Sequence, residues 1–388
     1  MSSPGDSNAR VMRREFAPRL PETDEAIAAL SAESQAALRQ LSLERTMGYG
    51  VDYADATQLR ARVLGGESWQ SAATSLADLC LQQTDSTPVA ATRPTRITGL
   101  RRASALLRMG QMMMLTDTEE RRAIFAQAAQ RYAQAAALQG DRKQVTIATE
   151  SGSLAGWLLS GGGNAVASAI VIGGIEGWAM DFDSLGEALA ARGIDALMLD
   201  GPGQGQTRLL HQHFLSAQWR DAYRAAIDYL DQRAPGRPIG FVGNSMGGSF
   251  AMAVAVGDTR IAACCNNGGI IAPWMVPQSG AFFSKMVAFC GVEAQQAVDI
   301  WKTVTPVQEG PNTGYPLLML QGGKDPLVSI PMSEMLLLSA PTDDKQMVIF
   351  SDGDHCLYNH RSDRDALIAD WMYTRLGGST PTETPPHI

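Results

Sequence analysis

The chain has 388 residues, 45% of them hydrophobic and 19% charged, with a formal net charge of −8. That length is too great for one average domain and comfortable for two, and the acidic balance argues against a broad nucleic-acid surface. No apolar run approaches the roughly 18 residues of a membrane span, and the five cysteines are odd in number and lack metal-ligand spacing.

Residues 1–22 are polar and punctuated by prolines, which reads as a flexible arm. They carry neither the basic nor the apolar region of a secretory signal, so a reduced, cytoplasmic protein is expected. From 23 to 140 the pattern is helical, with helices expected over 25–43, 52–64, 68–83 and 101–114. A last helix runs to Leu138, opened by a capping box at Thr116-Asp117-Thr118-Glu119 and stopped by Gly140. The methionines at 109, 112, 113 and 114 fit a helical core better than a pliable pocket. At Gln144 the period changes to two. Strands are expected at 145–149, 155–159, 167–172, 195–199, 239–242, 261–266, 315–321 and 346–350. Between them lie helices at 184–192, capped by Ser184 and Glu187, and at 216–232; a closing helix covers 363–375. Alternating strands and helices predict an α/β domain over 141–376, with a mainly parallel sheet covered on both faces. Residues 377–388 are rich in proline and threonine and read as a disordered tail.

The chemistry centres on Gly243-Asn244-Ser245-Met246-Gly247, a Gly-x-Ser-x-Gly pattern with an apolar strand before it and a small-residue helix after it. A strand that turns abruptly into a helix strains its central residue and brings neighbouring backbones too close for side chains. Ser245 would stand above the sheet as a nucleophile. It needs a base, and the base needs an acid to orient it. Of five histidines, His387 lies in the tail, and His211 and His213 precede the nucleophile in a stretch read as surface loop. His355 follows the last strand, on the same sheet edge as Ser245; His360 is the weaker candidate. Asp325, just after the strand ending at Gln321, is the acid. Ser245, Asp325 and His355 stand in α/β-hydrolase order.

The oxyanion hole calls for the Met246 amide and one from the loop Gly174-Ile175-Glu176, so Ile175 and Glu176 are candidates. A carboxylate there opposes developing negative charge unless it is protonated or turned away. Glu176 is therefore either a proton donor or substrate contact, or a solvated glutamate. Asp200-Gly201-Pro202-Gly203-Gln204-Gly205 resembles a dinucleotide loop only superficially, because Gln206 stands where the third glycine belongs. No metal and no organic cofactor is implied. An insertion at 270–312 is expected to form a lid carrying Trp274, Phe282 and Trp301; with Trp178 these would make a pocket for a bulky apolar or aromatic small molecule.

With these residues assembled, the chain resembles the α/β-hydrolases that carry an N-terminal helical domain. That group includes 2,6-dihydroxypseudooxynicotine hydrolase, the fungal polyketide chain-shortening hydrolases and the fermentation–respiration switch esterases. The resemblance rests on Arg45 to Asp52, Gly173 to Glu176, Asp200 to Gly205, Gly243 to Gly248 and Gly353 to Cys356. It implies an α/β-hydrolase fold and, at Glu176, a glutamate that assists carbon–carbon bond cleavage. Asn244 and Gly177-Trp178 depart from the group's pattern and bear on the substrate, leaving the triad alone. The leading expectation is a serine hydrolase cleaving a carbon–carbon bond beside a ketone, in a 1,3-dicarbonyl or polyketide-like substrate. The alternatives are a carboxylesterase or thioesterase, and a hydrolase-like binding protein without turnover. A homodimer is allowed but not required.

Overall fold

The computed structural model describes residues 14–86 and 89–378. Residues 1–13 of the expected arm and 379–388 of the expected tail lie outside the described residues. The rest of the arm is bound to the helices: the Ala17 amide donates to Gln58 Oε1 at 2.7 Å, Gln58 Nε2 donates to the Ala17 carbonyl at 3.2 Å, and Glu22 pairs with Arg60.

Ahead of the sheet lie α1 (Asp24–Ala28), α2 (Ala32–Gln40), α3 (Leu43–Gly48), α4 (Tyr53–Leu64), α5 (Trp69–Asp85), α6 (Arg93–Met112) and α7 (Glu119–Gln139). Side-chain caps set most of these starts, because an oxygen that accepts a first-turn amide satisfies a donor the helix cannot. The single helix expected over 25–43 is broken for this reason: Ser31 and Ser42 each cap a new helix. The cap of α7 is Thr118, whose hydroxyl accepts from the Arg121 amide at 3.1 Å. That puts Glu119 at the first helical position, out of reach of a capping box. Gly140 ends α7 in the left-handed conformation, as expected. Met109 and Met112 are buried in the helical core, with Met113 and Met114 packed against it.

The strands are β1 (Arg142–Thr149), β2 (Gly152–Leu159), β3 (Ala167–Ile172), β4 (Ile194–Asp200), β5 (Ile239–Asn244), β6 (Ile261–Asn267), β7 (Leu317–Gly322) and β8 (Lys345–Phe350). They form one eight-stranded sheet in the order β1-β2-β4-β3-β5-β6-β7-β8. The β1–β2 and β2–β4 pairs are antiparallel and the others parallel. The connecting helices are α8 (Asp183–Ala190), α9 (Gly205–Leu209), α10 (Trp219–Arg233), α11 (Met246–Gly257), α12 (Gly280–Cys290), α13 (Ala294–Lys302), α14 (Ile330–Ser339) and α15 (Arg361–Arg375). Ser184 does not cap α8, which continues from a 3-10 turn over Ala179–Phe182; its hydroxyl donates instead to Asp365 on α15.

β3 and β5 are buried at every residue, as central strands covered on both faces should be. One face packs on α10 and α11 and on residues of the 270–312 insertion, with Trp219, Phe250 and Trp301 among its largest side chains. The other packs on α8 and α15, and Phe125, Ala129, Tyr132 and Ala136 of α7 join it. The helical segment is thus welded to the sheet through α7. A third core lies among α2 to α7, and Cys356 and Tyr358 from the loop after β8 are inserted into it.

Candidate active site

Ser245 caps α11 with φ 56° and ψ −134°, a conformation that costs a non-glycine residue about 1–3 kcal/mol. Its surroundings impose that turn. A Cβ on Gly247 would lie 2.2 Å from the Gly173 carbonyl oxygen, and one on Gly174 would lie 2.6 Å from Ser245 Cβ. The loop after β3 therefore lies directly against the elbow. The Met246 amide opens α11, where no helical carbonyl can receive it.

The relay expected from the sequence is assembled. His355 Nε2 is 2.9 Å from Ser245 Oγ, and His355 Nδ1 is 2.8 Å from Asp325 Oδ2. With Nδ1–H donating to the carboxylate, Nε2 is free to accept from the serine hydroxyl. Asp325 is itself fixed, since its Oδ1 accepts from the amides of Leu327 and Val328 at 2.8 and 3.0 Å. Burial pulls the His355 imidazole down, but Cys356 and Asp325 outweigh it, so the balance lies above the ordinary histidine value.

Neighbours that sequence reasoning missed hold this geometry. Cys356 and Leu357 have φ values of 55° and 56°, so the chain beyond His355 is coiled tightly. The Asn267 side chain donates to the Cys356 carbonyl at 3.1 Å and to Asn244 Oδ1 at 2.9 Å, while the Asn267 backbone carbonyl accepts from the Ser245 amide at 2.7 Å. Asn244, noted only as a departure from the family pattern, thus ties the nucleophile strand to the histidine loop. No local signal marked Asn267, because the tie exists only once β5 and β6 pair. His360 is outside the relay and bonds to Asp352. His213 is buried rather than on a surface loop: β2 passes beside it, and its Nε2 meets Ser151 Oγ at 3.0 Å.

Above Ser245 and His355 is a cavity of about 640 Å³, lined by Met246, Ile270, Ile271, Met275, Val276, Phe282, Leu327, Val328, Met332 and Met335 among others. Among the described residues, none of its lining side chains is an aspartate, glutamate, lysine or arginine. Of the four aromatics expected there, Phe282 alone lines it. Trp301 belongs to the core, between Phe250 and Phe289, with its indole N–H donating to the Met286 carbonyl. Trp274 sits on a 3-10 turn and is 40% exposed outside the cavity. Trp178 turns to the helical segment, edge-on to Phe125 and under Arg121.

Glu176 also turns away. Its Oε2 accepts from Arg45 Nη2 at 2.7 Å and its Oε1 meets Lys285 Nζ on α12. With Arg121, Arg208, Trp178 and Lys285 it encloses a space of about 10 Å³, room for a water at most. The Tyr49 hydroxyl donates to the Glu176 carbonyl at 3.2 Å and lies 2.6 Å from the Tyr358 hydroxyl. The stretch Arg45 to Tyr49 therefore grips the Glu176 loop and the histidine loop together. Its presence in the sequence pattern was a signal; the Lys285 contact left none.

The family described as "Serine aminopeptidase, S33" matches residues 163–299, a stretch holding Ser245 but ending before Asp325 and His355. A 2,6-dihydropseudooxynicotine hydrolase of Paenarthrobacter nicotinovorans is 25% identical over 222 residues. That match covers 54% of this chain and 58% of the relative, so the chain spans less than two thirds of that protein's length. The crystal structure of the 2,6-dihydroxy-pseudo-oxynicotine hydrolase superposes with a TM-score of 0.71 at 22% identity, covering 86% of this chain and 95% of that one. AbyA5 superposes with a TM-score of 0.66 at 13% identity, covering 80% and 90%. Both likenesses reach beyond the sheet into the N-terminal helices. The chain has the α/β-hydrolase fold, and its likeness to these two structures takes in part of the helical segment as well as the sheet.

Proposed function

We propose that the chain is a serine hydrolase acting on a bulky apolar acyl compound through an acyl-enzyme on Ser245. The observation behind this is the Asp325–His355–Ser245 relay at the floor of an apolar cavity. Ser245 Oγ attacks the substrate carbonyl as His355 Nε2 takes its proton. Asp325 holds the imidazole tautomer, and the amides of Met246 and Ile175 receive the oxyanion. Collapse expels the leaving group with the proton from His355, and water then releases the acid by the same route.

The bond assigned first is a carbon–carbon bond beside a ketone, as in a 1,3-dicarbonyl or polyketide-like compound. Support comes from the likeness to 2,6-dihydroxy-pseudo-oxynicotine hydrolase, which spans the helical segment. Glu176 is not given the proton-donor role, because Arg45 and Lys285 take both its oxygens. A second reading, hydrolysis of a bulky ester, is favoured by the same contact: the cavity offers no second acid, and an alkoxide needs only His355. Comparing kcat/KM for a 1,3-diketone and an aryl ester with the same acyl group tests the assignment. Cleavage of the diketone within about a hundredfold of the ester supports the first reading; ester cleavage alone supports the second.

A further inference from the structure

Gln204 is fully buried at the end of the Asp200–Gly205 loop, a motif the relay does not use. Its Oε1 accepts from the Gly201 amide at 2.7 Å. Its Nε2 donates to the Gly173 carbonyl at 2.5 Å and is 3.2 Å from the Gly174 carbonyl. Both carbonyls belong to the loop that lies against Ser245. The position of a Gly174 Cβ is 2.9 Å from Ser245 Oγ and 3.0 Å from the Met246 nitrogen, so residue 174 touches both the nucleophile and the first oxyanion donor.

In a trans peptide the carbonyl of one residue and the N–H of the next point in opposite directions, and no described peptide bond is cis. A side chain that holds the carbonyls of Gly173 and Gly174 therefore turns the amides of Gly174 and Ile175 the other way. We propose that Gln204 is a positioning residue for the oxyanion hole, anchoring these two carbonyls so that the Ile175 N–H faces the carbonyl oxygen attacked by Ser245. This rests on the serine-hydrolase reading above and adds to it the group that orients the second donor. The anchor is itself rigid: Asp200 accepts from the Ala179 and Gln206 amides at 2.8 Å, and Thr207 Oγ1 donates to the Asp200 carbonyl at 2.6 Å. A glutamine is suited to this position. Its amide nitrogen serves two carbonyls while its oxygen takes an amide, a split that neither glutamate nor lysine reproduces.

The test uses the full chain with p-nitrophenyl butyrate as substrate and a trifluoromethyl ketone of matching acyl length as the tetrahedral probe. Gln204→Met removes all three bonds. Gln204→Glu keeps an acceptor for the Gly201 amide and loses the N–H donors, so it carries the test if the methionine variant does not fold. The expected result is a kcat loss of about tenfold to a hundredfold with KM within twofold. Affinity for the ketone should fall by the same factor as kcat/KM, with butyrate inhibition unchanged. A merely structural role would move KM, butyrate affinity and melting temperature together, and that pattern overturns the proposal. Wild-type kcat in either folded variant overturns it too, as does failure of both to fold. Ser245→Ala run alongside separates the two claims. If it still hydrolyses the ester, the serine-hydrolase reading has failed. If it is inactive while the Gln204 variants are fully active, only the role of Gln204 has failed.

Discussion

Two spaces lie on either side of the loop at residues 173–178, and they differ in almost every respect. On the Ser245 side is a cavity of about 640 Å³ whose lining carries no formal charge apart from what His355 acquires. On the other side Glu176 pairs with Arg45 and, with Lys285, Arg121 and Arg208, lines a space of about 10 Å³. The first can hold a substrate; the second holds the protein together. Glu176 joins the helical segment through Arg45, its own loop, and the 270–312 insertion through Lys285. A carboxylate beside an oxyanion hole would oppose the charge that forms there, and turning it toward two cations removes that conflict. The loop thus sets its backbone against Ser245 and commits its Glu176 side chain to assembly.

The sharpest way to break this division is at the relay. Ser245→Ala and His355→Ala should each lower kcat by at least about a thousandfold and leave the fold unchanged, as circular dichroism would show. Near-normal turnover in His355→Ala would remove it from the base role. Asp325→Asn should lose less than either and should also move the pH profile. His355 acts as a base only when neutral, and Asp325 is among the groups that raise it. The wild-type rise of kcat/KM with pH should therefore lie above pH 6.5, and Asp325→Asn should shift that rise downward. An unshifted profile would show that Asp325 does not act on the histidine.

On the charged side the expectation is stability rather than chemistry. Glu176→Gln leaves the Arg45 guanidinium buried without its partner and removes the carboxylate acceptor of Lys285, whose ammonium burial and Arg45 already push down to about 7; it should cost about 3–5 kcal/mol and lower the midpoint of urea unfolding. Activity on a 1,3-diketone and on an aryl ester should fall by equal factors. A selective loss on the diketone would instead make Glu176 a participant in carbon–carbon cleavage. Arg45→Met should not add fully to Glu176→Gln, because both remove one cluster. The smallest effect is expected at the cavity wall: Phe282→Ala should weaken kcat/KM for bulky acyl groups about tenfold and spare an acetyl ester.

Much of this was legible in the sequence because its signals are local. The elbow needs small residues at fixed offsets, and Asp325 and His355 each follow a strand that ends at the same sheet edge. Residues whose roles depend on pairing across the fold were not legible. Asn267 meets Asn244 only through the β5–β6 register, and Lys285 meets Glu176 only because α12 folds back over the loop. Aromaticity misled for a related reason: Trp301 and Trp274 share the insertion with Phe282, yet helical phase sends one into the core and a turn leaves the other in solvent. Gln204 lay in a motif whose glycines drew attention first.

Ser245 is proposed to form the covalent intermediate at the floor of the apolar cavity. Labelling the intact chain with a fluorophosphonate and locating the adduct by peptide mass spectrometry tests it most directly. One adduct is expected, on the peptide containing Ser245, formed at least about a hundredfold more slowly in His355→Ala. No adduct at Ser245, an adduct on another residue, or equal labelling rates with and without His355 would contradict it.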